Sequence, residues 1–141
     1  MIVIDTNVIL AALRQTVTPH DERHHRQASE LLSQISENSQ RALVPEIVLH
    51  ECFYVLVMRD RDVTVDSFCD LFRHMLEWPG WAMRNEETEI LVRAVDILQT
   101  NPKLEFSDAV IAARAEAHGA ELATFDRRLA EAYGGPIWMD N

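Results

Sequence analysis

The sequence predicts an α/β fold with a mainly parallel sheet. Three observations carry that expectation. Short apolar runs rich in β-branched residues alternate with helical patterns along the whole chain. The first such run, Ile2 to Ile4, meets a polar turn at once, as a short buried strand does. The last third repeats the alternation with clear helix boundaries and contains no internal repeat.

The elements follow in order. Thr6 to Leu13 reads as a helix with Asp5 at or near its N-cap. Gln15 to Arg26 is polar, carries Pro19 and three His, and reads as a loop entering a helix over Gln27 to Ile35. Leu43-Val44 is a second short strand, and Pro45 opens a helix running to about Met58. Thr64 opens another helix, with Phe68, Leu71, Phe72, Met75 and Leu76 at helical spacing, which stops before Pro79-Gly80. Trp81 to Met83 is a strand candidate, and Glu86 to Leu98 is helical by Ile90, Leu91, Ala94, Val95 and Leu98. Ser107 caps a helix from Asp108 to His118, and Gly119 stands where a left-handed residue is wanted. Leu122 to Thr124 is a strand, a helix from about Asp126 stops at Gly134-Gly135, and Ile137-Trp138 is a final strand candidate.

Composition bounds the function. A chain of 141 residues at 48% hydrophobic has the common size of one domain, so 1–141 is expected to fold as one. The longest apolar stretches, Val8 to Leu13 and Cys52 to Met58, fall far short of the roughly 20 residues that span a bilayer. The N-terminus lacks a basic segment and its apolar run is cut by Asp5, so no signal peptide is read and a cytoplasmic location is expected. Cys52 and Cys69 lie in apolar helical patterns without zinc-site spacing and read as buried reduced thiols. A net charge of -10 argues against a nucleic-acid binder of the usual basic kind, since phosphate neutralisation supplies most of that affinity. A bound cation would reverse the local sign and remove that objection at one site. Lys103 is the only Lys among 13 basic residues; Arg suits bidentate phosphate contact, yet genomic base composition is the plainer source of the bias.

Four acids stand beside apolar segments: Asp5, Glu51, Asp108 and Asp126. Asp5 and Asp126 directly follow strands, where ligands of an open parallel sheet collect, but Asp there is also a favoured N-cap. Position alone leaves both readings open. Asp108 is the weaker cap, because Ser107 already supplies a capping group and Asp108 shares a face with Ile111, Ala112 and Ala115. Glu51 follows helical spacing with Ile47, Tyr54, Val55 and Met58, an apolar face on which an uncompensated charge would cost several kcal/mol, of order. A structural ion pair with Arg or His is one resolution; a shared divalent cation is the other.

These residues resemble the PIN-domain ribonucleases. The match runs through Val3-Ile4-Asp5-Thr6-Asn7, then Glu51, then Ser107-Asp108-Ala109-Val110-Ile111-Ala112-Ala113, then Leu122-Ala123-Thr124-Phe125-Asp126, in order over nearly the whole chain. Size and motifs together look most like the VapC-type toxins of toxin–antitoxin pairs. The chain departs at Leu129, where that group often carries an aromatic, and in the length of the polar segment Gln15 to Arg26. The resemblance implies a three-layer α/β/α sandwich with a short central sheet. It implies that Asp5, Glu51, Asp108 and Asp126 surround one or two Mg²⁺ or Mn²⁺ ions, hard cations that oxygen ligands suit. Asn7 and Thr124 would support a carboxylate, a water or a phosphate, and Arg127 and Arg128 would hold backbone phosphates. The implied reaction is RNA phosphodiester hydrolysis leaving 5′-phosphate and 3′-hydroxyl ends. A homodimer and a cognate antitoxin are the implied partners. Without metal, like charges about 4 Å apart repel by about 4 kcal/mol at an effective dielectric of 20, so an empty cluster should destabilise the fold.

Other readings fare worse. A haloacid-dehalogenase phosphatase needs a second acid where Asn7 stands, and a receiver domain needs an internal phosphoacceptor with a late Lys. Gly80, Gly119, Gly134 and Gly135 form neither a dinucleotide fingerprint nor a P-loop. The serious rival is a PIN-like module that binds RNA or protein without cleaving. His20, His24 and His25 read as solvated surface, and Trp78, Trp81 and Trp138 with Met75 and Met83 read mostly as core.

Overall fold

A computed structural model describes residues 1–14, 18–83 and 85–138. The chain forms two compact units, Met1–Arg61 with Glu77–Met83 and Asp62–Leu76 with Arg84–Asn141.

In the first unit β1 (Ile2–Val3) runs parallel to β2 (Ala42–Leu43), pairing Ile2 with Ala42 and Val3 with Leu43. A further parallel bridge joins Ala42 to Trp81. Parallel neighbours need a crossover. Between β1 and β2 it is supplied by α1 (Thr6–Leu13) and α2 (Pro19–Ser36), which pack on each other. α3 (Glu46–Phe53) follows β2 and continues as a π-helical turn, Tyr54–Arg59, marked by the Asp60 N–H donating five residues back to the Val55 carbonyl at 3.0 Å. The core of this unit is Ile4, Ile9, Leu10, Leu32, Ile35, Val48, Leu49, Cys52, Phe53 and Leu56. Gly80 threads between α2 and β2: its N–H donates to the Ile35 carbonyl and its carbonyl accepts from Ala42, and a methyl there would fall on the Ile35 and Gln40 carbonyl oxygens.

In the second unit α5 (Asn85–Thr100) packs against both α4 (Val65–Leu76) and α6 (Phe106–Ala117), and α7 (Arg127–Tyr133) packs against α6. Phe68 stacks on Phe72 with centroids 4.2 Å apart and meets Phe106 edge-on at 5.9 Å. Each such ring removed from water contributes about 1.5–3 kcal/mol. Leu122 and Ile137 form a parallel bridge with α7 between them as the crossover. Gly119 (φ 57°) and Gly134 (φ 66°) take the left-handed conformation at the ends of α6 and α7, as their positions in the sequence require.

Several expectations change. Residues 19–26, read as loop, are the first turns of α2: Thr18 and Asp21 form a capping box and Pro19 sits in the first turn, a start signal that outweighs the polarity of the segment. Gln15 to Val17 lie outside the described residues. β1 is shorter than read and only Ile4 of Ile2 to Ile4 is buried, Ile2 and Val3 being exposed; β2 keeps two residues but starts one earlier, at Ala42; and the candidates at residues 81–83, 122–124 and 137–138 reduce to single bridges. Ser107 does not cap α6; Glu105 occupies the N-cap, so the helix begins two residues before Asp108. Trp81 is buried and stacks on half-buried Trp78 at 6.1 Å, whereas Trp138 is exposed. His25 is half-buried rather than solvated, its Nδ1 lying 2.9 Å from the Ala11 carbonyl. Cys52 and Cys69 are buried free thiols, as expected. Among the described residues no helix is long and apolar enough to cross a membrane.

Candidate functional site

Asp5 and Glu51 belong to the first unit, and the parallel pairing accounts for their common address. Asp5 follows β1 directly and is the N-cap of α1, accepting from the Thr6 N–H at 2.7 Å. β2 leads through Val44-Pro45 into α3, whose second turn carries Glu51. Both chain segments therefore leave the same edge of the sheet. One residue joins them: the buried Thr6 donates its hydroxyl to Glu51 Oε2 at 2.8 Å while its N–H serves Asp5.

Glu51 does not lie on a buried face. The buried side of α3 and its π-helical continuation is Val48, Leu49, Cys52, Phe53 and Leu56, whereas Ile47, Glu51, Tyr54 and Met58 are exposed. The helix is apolar on nearly all sides, so two stripes satisfy the same period and burial selects the other one. The desolvation cost expected for Glu51 therefore does not arise. Its charge still reaches the core: burial first, then Glu51, pushes the Cys52 thiol up to about 12, with Arg14 opposing.

The second unit holds Asp108 and Asp126. Asp126 is exposed and caps α7, its Oδ1 accepting from Arg128 N–H at 2.9 Å and Leu129 N–H at 3.3 Å. Thr124 Oγ1 accepts from the Asp126 N–H at 3.0 Å, fixing the approach to the cap. Asp108 is half-buried at the third position of α6, and its Oδ2 accepts from the Glu105 N–H at 3.2 Å. It is thus part of a capping box, against the expectation that it would be the weakest cap, and its face is mixed: Ala112 is buried and Ile111 exposed. Leu129 is buried, so the departure there is a matter of packing.

A pattern unites the four acids. Each engages one carboxylate oxygen with a nearby N–H or O–H, which fixes its orientation, and none forms an ion pair among the described residues. Among those residues, neither unit groups three His, Cys, Asp or Glu side chains about a common point. The donor chemistry, oriented oxygens with unneutralised charge, fits a hard divalent cation. Asn7 is exposed on the first turn of α1, where it lines a cleft of about 290 Å³ with His24 and Gln27. Arg127 and Arg128 are exposed.

A family model described as PIN domain matches residues 2–135. The chain belongs to the PIN domain family. Its α/β class is thereby shown, with a small parallel sheet among many helices. PIN domains are in general nucleases, and those nucleases generally use divalent metals. No curated protein matches this PIN domain. The sequence motifs missed one residue of interest, Thr6: it stands inside the quoted motif, but its link to Glu51, 45 residues away, leaves no local signal.

Proposed function

We propose that this PIN domain is an Mg²⁺- or Mn²⁺-dependent endoribonuclease and the toxin of a toxin–antitoxin pair, acting in the cytoplasm as a homodimer restrained by a cognate antitoxin. The reading takes residues 1–141 as one PIN domain. The observation that carries it is the shared state of Asp5, Glu51, Asp108 and Asp126, each oriented by a hydrogen bond through one oxygen and none neutralised by a cation among the described residues.

Those four carboxylates would hold the metal. When bound, it would supply positive charge that acidifies an attacking water and stabilises the departing 3′ oxygen. The side chains set the rest. Thr6 holds Glu51 Oε2 and Asp5 Oδ1 in fixed directions, and Thr124 holds the backbone at Asp126. Asn7 offers an exposed carboxamide to a substrate phosphate, while Arg127 and Arg128 take the flanking backbone by charge.

Asp5→Asn and Asp126→Asn keep the size of each side chain and remove its charge. Each is expected to abolish Mg²⁺-dependent cleavage of RNA, followed on gels with 5′-end mapping. Cleavage at the wild-type rate in both variants would sink the proposal.

A further inference from the structure

Among the described residues, the Lys and Arg side chains of the second unit divide into two groups. Arg73 is tied to Asp96 at 2.8 Å, Arg93 to Glu116 at 3.0 Å and Arg114 to Glu87 at 3.2 Å. Lys103, Arg127 and Arg128 form no ion pair among the described residues. Two of these three, Lys103 and Arg128, line one cleft of about 270 Å³ formed with Thr100, Asn101, Leu104 and Glu131.

The cleft's polar groups narrow what it can take. The Thr100 hydroxyl donates to the Asp96 carbonyl at 3.1 Å, and the Asn101 carboxamide nitrogen donates to the Ile97 carbonyl at 2.9 Å. The principal donors left for a ligand are the ammonium of Lys103 and the guanidinium of Arg128, which select an anionic acceptor. Glu131 on the same cleft, and the carboxyl end of α5 beside it, oppose a second negative charge. A singly charged phosphodiester satisfies both conditions better than a doubly charged phosphate monoester. The cleft is also joined to a proposed metal-holding acid, since the backbone N–H of Arg128 binds Asp126 Oδ1.

We propose that this cleft binds one backbone phosphodiester of the RNA strand, flanking the one that is cut, through Lys103 and Arg128. The inference rests on the ribonuclease reading and adds Lys103, which no motif of the sequence singles out.

The test uses the full chain at a fixed concentration of Ca²⁺ in place of Mg²⁺, with a fluorescent single-stranded RNA shown on gels to stay uncut, whose anisotropy is followed over a KCl series. Each phosphate contact on a single strand contributes about 0.7 to the slope of log K against log salt. Lys103→Ala and Arg128→Ala are each expected to reduce that slope by about 0.7 and to weaken binding similarly for RNAs of different sequence. Arg93→Ala, which removes a cation already paired with Glu116, is expected to leave the slope unchanged. An unchanged slope in both cleft variants, with wild-type binding intact, overturns the cleft and leaves the ribonuclease reading standing. An equal loss in Arg93→Ala points to bulk charge and overturns it as well. A wild-type chain that neither binds RNA nor cleaves it with Mg²⁺ overturns both proposals together.

Discussion

Thr6, the one polar side chain buried among the described residues, serves two carboxylates at once, Asp5 through its N–H and Glu51 through its hydroxyl. Thr6→Val keeps the shape and removes the hydroxyl, so it separates the two services. It is expected to lower stability in urea by about 1 kcal/mol, the usual worth of such a bond, and to reduce kcat for RNA cleavage with KM nearly unchanged; Thr6→Ser should restore both. A Val variant with the kcat of the wild type would remove the positioning role. The four acids were legible in the sequence as residue types and in their order, but their environments were not. Asp5 and Asp126 prove to be N-caps, the plainer of the two readings left open, and a cap does not exclude a ligand because it engages only one oxygen. Glu51 was placed on the wrong face because apolar residues surround α3, and periodicity cannot choose between two stripes that both repeat every 3.6 residues.

The helices that carry Asp5 and Glu51 are tied at their far ends as well. Arg14, the C-cap of α1, pairs with Asp60, the C-cap of the π-helical turn. Arg59's hydrogen bond first, helped by the charges of Arg59 and Arg14, holds the Asp60 carboxyl below its ordinary 3.8 against burial, the largest opposing contribution. A depressed folded-state pKa stabilises above the unfolded value, and that contribution disappears as pH falls through the folded value. Asp60→Asn is therefore expected to lower Tm at pH 7, and the difference from wild type should close in thermal melts run well below pH 3.8. A difference that stayed constant with pH would assign the effect to packing. Most helices were legible within a few residues, but α2 begins eight residues before Gln27, because the polarity of the segment masked the capping box of Thr18 and Asp21. The π-helical turn was not legible, because its sequence, Tyr54 to Arg59, continues the apolar pattern of α3 without interruption. β1 and the three later strand candidates were overread, since an apolar run announces an extended segment but not how many of its amides find a partner.

For the molecule as a whole, charge is the main lever. With a net charge of -10 and four acids that form no ion pair among the described residues, a divalent cation that binds the native state must stabilise it. Millimolar Mg²⁺ or Mn²⁺ is expected to raise Tm for the wild type and to raise it less for Asp5→Asn, read by differential scanning fluorimetry against a matched ionic strength of KCl. No shift in the wild type would favour a PIN-like module that binds without cleaving. The fold class was legible because alternation of strand and helix is written locally, whereas the clefts and the pairing of arginines depend on residues far apart in sequence.

The course of the chain through its two units has a practical corollary. It leaves the first unit after Arg61, returns at Glu77 and leaves again after Met83, so each unit is assembled from separated segments. No single cut divides the polypeptide into one intact unit and another. A fragment ending at Arg61 lacks the Trp81 bridge to Ala42, and one ending at Met83 keeps α4 without the α5 it packs on. Truncation is thus a poor way to assign roles to the two units, and point substitution in the undivided chain is the sound one.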